Sequence, residues 1–306
     1  MPELWRIQVQ LNISTYQLSC KNFKILFDTR DHRRDSLGLK YVYVVNSRRS
    51  GGLSIGINLN TNNACNWQCV YCQVDGLRRG SAPSINQDLL ETELRSVIDD
   101  ILHGDFYLRH NIPAEFRVIR DIAISGNGEP TTCREFDVVV EVLDSVVGNF
   151  TLAEITKVVL ITNGSQVHHP VVKRGIRQMA EMNGEIWFKL DSATETGIRS
   201  INHTQISMKK IKRNLETAAA LCPVWLQTCV FVHDSNPPSP EEQDAYLQFI
   251  ANILSEGVLI NGVHLYGIAR SSRQKDASRL GRLPPQWLEQ YADRIEKTGI
   301  KVKVSA

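Results

Sequence analysis

Three of the seven cysteines fall within eight residues, in the stretch Asn60-Thr61-Asn62-Asn63-Ala64-Cys65-Asn66-Trp67-Gln68-Cys69-Val70-Tyr71-Cys72. The spacing, C-x3-C-x2-C, admits three readings. Positions i, i+4 and i+7 share one face of a helix, so the thiols could form a buried apolar stripe. The asparagine-rich lead-in works against this, because Asn side chains compete with helical backbone hydrogen bonds and favour turns. Structural zinc is the second reading, and it wants four thiolate or imidazole ligands. The nearest histidines, His32 and His103, are about thirty residues away, and no second cysteine pair is close. The third reading is an iron–sulfur cluster. Such clusters usually take four thiolates, so three would leave one iron open to a ligand, a place for chemistry rather than scaffolding.

The elements around the triad must place it where chemistry can occur. From about residue 53, short β-branched runs alternate with helical patterns. Strands are predicted at 53–59, 118–125, 157–162, 185–191, 224–232 and 262–268, and helices at 87–103, 134–148, 171–182, 208–221, 241–256 and 285–299. Residues 301–305 alternate charged and apolar and read as a final edge strand. Strand–helix alternation with short connections means parallel βαβ units, so the fold class is α/β. Six units suit a doubly wound sheet or a partial (β/α) barrel, and both put their chemistry at the C-terminal strand ends. The cysteines follow the first such strand. Residues 1–50 read as a small β-rich N-terminal extension, with strands near 23–28 and 40–45. Residues 51–270 form the core, and 271–306 a C-terminal helix and edge strand packed on it. The stretch His233-Asp234-Ser235-Asn236-Pro237-Pro238 reads as a rigid turn.

Composition narrows the class further. At 306 residues, 42% hydrophobic and 22% charged, the chain can bury a large core, and wholesale disorder is excluded. No apolar run approaches the roughly 18 residues of a membrane span, and MPELWRIQVQLN lacks the apolar block of a signal peptide. The expectation is a soluble, cytoplasmic protein with no membrane partner. An odd cysteine count without a secretory signal argues against a disulfide framework. The net charge of +2 is uneven: residues 1–80 carry 11 Lys+Arg against 5 Asp+Glu, and residues 81–306 carry 24 against 28. The asymmetry hints at an anionic partner near the N-terminal part.

With the aromatic Tyr71 just before its third cysteine, the triad resembles the signature of radical S-adenosylmethionine (SAM) enzymes. Gly126-Asn127-Gly128-Glu129-Pro130-Thr131, after the second strand, is similar to their Gly-Gly-Glu-Pro-like element. The resemblance implies a partial (β/α)6 barrel in which Cys65, Cys69 and Cys72 hold one [4Fe–4S] cluster. The open iron would chelate the amino and carboxylate groups of SAM. An electron from the cluster would cleave SAM to a 5′-deoxyadenosyl radical, which abstracts hydrogen from a substrate. The enzyme would be an oxidoreductase or a transferase, fed by a one-electron reductant such as a flavodoxin or ferredoxin.

By the same resemblance, Tyr71 and the segment Gly126, Asn127, Gly128, Glu129 and Pro130 contact SAM. Exposed backbone and a carboxylate suit its ammonium group, and glycines permit close approach. Asn163, Lys189, Asp191 and Ser192, at the ends of the third and fourth strands, are implied for the carboxylate and ribose, and Gly267 and Ile268 for the adenine. A plainer reading stays open, in which Asn163-Gly164 is only a turn and Asp191 a helix N-cap.

Ser47-Arg48-Arg49-Ser50-Gly51-Gly52-Leu53-Ser54-Ile55-Gly56-Ile57-Asn58, then the triad, GEPT, TNGS and KLD, resembles the wyosine-synthase-related branch, whose named member builds a tricyclic base in tRNA. This implies an RNA base as substrate, with tRNA or another anionic molecule as partner. One departure matters: the tRNA enzyme binds a second cluster through further cysteines upstream of the triad. Here Cys20 alone is upstream, while Cys133, Cys222 and Cys229 are scattered, as buried structural cysteines are. A peptide or small metabolite is the alternative substrate. A zinc or iron–sulfur binding protein without catalytic activity is the alternative of a different class.

Other groups have paired readings. Arg30, Arg33, Arg34, Arg48, Arg49, Arg78 and Arg79 form the basic excess and could grip phosphates or lie on a solvated face. His168-His169-Pro170 reads as a surface helix start. His233, Asp234 and Arg270 fall at the expected catalytic mouth, and Gln227 and Lys189 point into the expected barrel.

Overall fold

The β-branched runs become one eight-stranded sheet that curls into a half-barrel. The structure, a computed structural model, describes residues 37–47, 51–150, 152 and 156–305. Cys20, the strand expected near 23–28, and Arg30, Arg33, Arg34, Arg48 and Arg49 lie outside the described residues. The sheet strands are β1 (Val42–Ser47), β2 (Gly52–Ile57), β3 (Ile119–Ile124), β4 (Lys157–Thr162), β5 (Gly184–Lys189), β6 (Val224–Val230), β7 (Gly262–Gly267) and β8 (Val302–Ser305). Their spatial order is their chain order. β1 pairs antiparallel with β2, and every later neighbour is parallel. The strand expected at 40–45 is thus β1, and through it the core sheet reaches back across residue 50.

Helices α1 (Gln87–His103), α2 (Phe136–Asn149), α3 (Pro170–Glu181), α4 (Glu195–Asn202), α5 (Met208–Ala219), α6 (Pro240–Ser255) and α7 (Pro285–Glu296) connect the parallel strands. Their ends carry the expected local chemistry. Asn86 caps α1 by accepting from Leu89 N at 3.0 Å, and Pro170 opens α3 just after His169. Leu90, Leu94, Val97, Ile98 and Ile101 form the buried stripe of α1. Helix α4 was not anticipated. Its eight residues make about two turns, too few for a hydrophobic period to stand out.

The strand expected at 224–232 ends at Val230; Val232–His233 instead pairs with Leu280–Gly281 in a separate ribbon. The turn at 233–238 is tight, with Asp234 and Ser235 both left-handed (φ 49° and 66°) and a bridge between His233 and Asn236. Asp234 accepts a fork of hydrogen bonds from Arg279, so its carboxylate faces an arginine.

A continuous core fills the space between sheet and helices. At its edge the buried carboxylate of Glu93 accepts from Lys40 N, Tyr41 N and Val42 N (2.8, 2.8 and 3.1 Å), satisfying the backbone where the chain enters β1. A smaller cluster of Val70, Cys229 and Phe231 packs with Tyr71, Tyr266 and Ile268 beneath the cysteine loop. Among the described residues, no helix is long and apolar enough to cross a membrane.

Candidate functional site

The loop bearing Cys65, Cys69 and Cys72 leaves the C-terminal end of β2 and is not helical, which removes the buried-stripe reading. The asparagines shape it. Asn58 Oδ1 accepts from Asn60 N (3.2 Å) and Asn127 N (2.9 Å), Asn60 Nδ2 donates to Ala64 O (2.8 Å), and Asn62 Oδ1 accepts from Ala64 N (3.1 Å). Asn63 takes a left-handed conformation (φ 54°), and its Oδ1 accepts from Asn127 Nδ2 at 2.7 Å. Ala64–Cys65 pairs briefly with Arg78–Arg79. Cys72 N closes the loop on Cys69 O at 3.0 Å.

All three cysteines are half-buried, and Cys69 and Cys72 both act through their charge on the Cys65 thiol. Burial, aided by Glu129 and then by Cys69 and Cys72, pushes the Cys65 thiol up to about 12. Burial likewise pushes Cys69 up to about 12, although Lys189 works in the opposite direction. A metal ion beside such thiols would favour their deprotonated forms. Sulfurs sharing one tetrahedral zinc would stand about 3.8 Å apart, given Zn–S bonds near 2.3 Å. Among the described residues, no three His, Cys, Asp or Glu side chains are grouped to hold a metal ion. Three thiols as a donor set suit an iron–sulfur cluster with one iron left open. Two sulfurs already accept hydrogen bonds, Cys65 Sγ from Trp67 N (3.4 Å) and Cys69 Sγ from Asn202 Nδ2 (3.2 Å).

The glycine-rich end of β3 is built against this loop. A Cβ on Gly128 would lie 2.0 Å from Ala64 O, and one on Gly126 would lie 2.2 Å from Asn58 Oδ1. Glu129 turns inward, contrary to the expectation of a carboxylate offered to a ligand. One oxygen accepts from Thr162 Oγ1 (2.5 Å) and from the backbone and hydroxyl of Thr131, the other from Asn163 N (2.7 Å). What this turn leaves half-exposed is residues 126–128.

Burial raises the Glu129 carboxyl above its usual 4.5, partly offset by those donors. In the folded chain the proton is therefore held at pH values where the unfolded chain has already lost it. Stability then declines as pH rises from 4.5 to the raised value. Glu129→Gln is expected to remove that slope, read from urea midpoints across pH, while costing about 1–3 kcal/mol because one donor would face an amide NH2. A slope unchanged in the variant would show that Glu129 is not its source.

The ends of β4 and β5 also close on the loop. Asn163 Nδ2 donates to Asn66 Oδ1 (2.8 Å), and Asn66 Nδ2 donates to Ser165 Oγ (2.7 Å). Gly164 is left-handed (φ 69°), so Asn163-Gly164 is a turn that also ties down the cysteine loop. Asp191 is no N-cap; Thr194 caps α4, its Oγ1 accepting from Gly197 N at 2.9 Å. Asp191 instead accepts from Tyr71 OH (2.5 Å), Asn202 Nδ2 (2.7 Å) and Cys229 N (3.0 Å). Lys189 Nζ lies 3.3 Å from Tyr266 OH and 5.0 Å above the Tyr71 ring. Burial works to lower Lys189, but the charges facing it, Tyr266 first and then Asp191, Cys69 and Cys229, raise it well above the usual lysine value.

Ser192 borders a cavity behind Asp191, and Gly267 lies against α7. Ser192 Oγ donates to Glu242 Oε2 of α6 at 2.7 Å, and a Cβ on Gly267 would point toward Leu288 of α7. Ile268 packs in the small cluster with Val70 and Phe231. The cavity, of about 290 Å³, is lined among others by Ser200, Cys229, Phe231, His233 and Tyr246; neither Gly267 nor Ile268 borders it. Arg79 donates to Asn66 O, Gln68 Oε1 and His203 O, and Arg78 Nε to Asn62 O, so both clamp the loop. Arg270 reaches the same loop through Gln73 Oε1 at 3.1 Å. Asn202 was missed by sequence reading, since its helix was.

No family model matches the chain, and no curated protein does. Solved structures do. A radical SAM methyltransferase from Sphaerobacter thermophilus superposes with a TM-score of 0.53 at 13% identity, over 86% of this chain and 68% of that one. TYW1 with a lysine-pyruvate adduct bound gives 0.52 at 14% identity, over 80% and 73%. Native anSMEcpe with bound AdoMet and Cp18Cys peptide gives 0.52 at 13%, over 82% of this chain and 62% of that one. The fold is the radical SAM partial barrel. In this radical SAM-type barrel the cysteine loop crowns the first parallel strand, β2, and the ends of β3, β4 and β5 converge on it.

Proposed function

We propose that the protein is a radical SAM enzyme in which Cys65, Cys69 and Cys72 hold one [4Fe–4S] cluster. The observation that carries this is that three half-buried cysteines, whose charges act on one another, sit on one loop seated against Gly126–Gly128 at the C-terminal mouth of the half-barrel. When bound, cluster and SAM supply a reductive cleavage that yields a 5′-deoxyadenosyl radical able to take hydrogen from a substrate. The chain's own part is to bind, orient and exclude water. The half-exposed backbone at 126–128 suits an ammonium group. Protonated Lys189 offers positive charge to a carboxylate, and Asn163 fixes the loop that carries the thiols. Tyr71, Val70, Phe231 and Ile268 form an apolar wall that keeps water from the site.

Asp191 in this reading orients Tyr71 and Asn202 rather than contacting a ligand through a free carboxylate. Ser192 and Gly267 contribute through the backbone near them, since the Ser192 hydroxyl is taken by Glu242 and Gly267 has no side chain. Protein reconstituted anaerobically with iron and sulfide is expected to hold about four of each per chain. Under reductant it should convert SAM to 5′-deoxyadenosine. Zinc with no cluster absorption would support the non-enzymatic alternative instead.

For the substrate, the wyosine-related motif order and the basic N-terminal part support an RNA base in tRNA, with a flavodoxin or ferredoxin as reductant in the cytoplasm. Arg78 and Arg79 do not add to this, because they serve the loop. Binding of tRNA that weakens with salt would support the RNA reading, and no binding at low salt would overturn it. The 290 Å³ cavity beside Asp191 favours the second reading, a small metabolite, because its size suits a compact ligand. Nucleoside and metabolite profiles of a deletion strain separate the two.

A further inference from the structure

Asn202 ends α4 and is fully buried, with its side-chain amide between two acceptors. Nδ2 lies 3.2 Å from Cys69 Sγ and 2.7 Å from Asp191 Oδ2, one N–H for each. Its Oδ1 is also buried and meets no donor among the described residues. The amide is held this way round because, turned over, its oxygen would face the Asp191 carboxylate, which has no proton to donate. Asp191 is itself pinned by Tyr71 OH and Cys229 N, so the direction of the amide is fixed by a chain of partners spanning three elements.

The rest of the helix end is docked on the same loop. Ile201 O accepts from Val70 N (2.8 Å), Asn202 O from Gln68 N (3.1 Å), and His203 O from Arg79 Nη2 (2.8 Å). The backbone therefore suffices to hold α4 against the cysteines. A buried amide with an unmet oxygen weakens folding rather than helping it, so its presence calls for another reason. Its geometry supplies one, a fixed N–H dipole aimed at a sulfur. Hydrogen bonds to cluster sulfurs stabilise the more negative, reduced state and raise the reduction potential.

We infer that Asn202 is a positioning residue that sets the reduction potential of the cluster through its N–H bond to Cys69, with Asp191 fixing the direction of the amide. The inference rests on the radical SAM reading above. It is tested by potentiometric titration, followed by electron paramagnetic resonance, of reconstituted wild type, Asn202→Leu, Asn202→Ala and Arg79→Met. Both Asn202 variants remove the donor, and the alanine leaves room should leucine not fit. Arg79→Met loosens the same loop without touching a sulfur.

The expected result is full cluster loading in the Asn202 variants with a lower potential, about tenfold less reduced cluster at a fixed potential, equivalent to about 59 mV for one electron. Arg79→Met keeps the wild-type potential. A wild-type potential in the loaded Asn202 variants overturns the inference, as does an equal shift in Arg79→Met. Loss of the cluster or the fold in both Asn202 variants assigns the residue a structural role and also overturns it. A wild type that takes up no iron and sulfide would instead overturn the radical SAM reading, and iron analysis tells the cases apart.

Discussion

Replacing Cys69 with alanine is expected to abolish cluster incorporation and 5′-deoxyadenosine formation together. Three thiols are the minimum that holds a cubane with one iron left open, and no neighbouring group can stand in for the second of them. Asp191, the carboxylate whose charge acts on Cys69, is already committed to Tyr71, Asn202 and the backbone of Cys229. Iron and sulfide should fall from about four per chain to a small residue. The fold should survive, because the loop is held by Asn58, Asn60, Asn163 and Arg79 rather than by its sulfurs. A change within about 1–2 kcal/mol in the metal-free protein is expected. A cluster of unchanged iron content and spectrum in this variant would sink the assignment of Cys69 as a ligand.

Gly128→Ala carries the second large effect. The new Cβ would sit 2.0 Å from Ala64 O and 2.7 Å from Asn60 Cγ, and the first of these is backbone next to Cys65. Neither can yield without moving the cysteine loop, so overpacking of about 3 kcal/mol is expected, with poor cluster loading even in protein that remains folded. Gly148→Ala is the matched control. It lies in α2 with nothing within 4 Å of the added Cβ, and alanine there should gain up to about 1 kcal/mol of helix propensity. Thermal unfolding and iron content of the two variants check the pair. Wild-type loading in Gly128→Ala would show that the glycine does not position the loop.

The parallel strands and helices were legible because their signals are local. The runs at 122–124 and 158–161 are apolar, as strands covered on both faces are, and α1 shows its period across seventeen residues. The triad was legible for the same reason, as spacing within one loop. Helix α4 was not, being short, and with it went Asn202. The plain reading of Asp191 as an N-cap followed local propensity, which Thr194 three residues later satisfies better.

The sequence by itself determined the α/β class, the order of the units, and the placing of three cysteines after the first parallel strand. Only the tertiary structure decided where the polar groups around them point. Glu129 turns into the protein because Thr162 and Asn163, more than thirty residues on, offer it donors. Cys69 receives its hydrogen bond from Asn202, 133 residues away along the chain. A buried polar group goes where its partners are, and those partners are set by how strands and helices pack rather than by any neighbour in sequence.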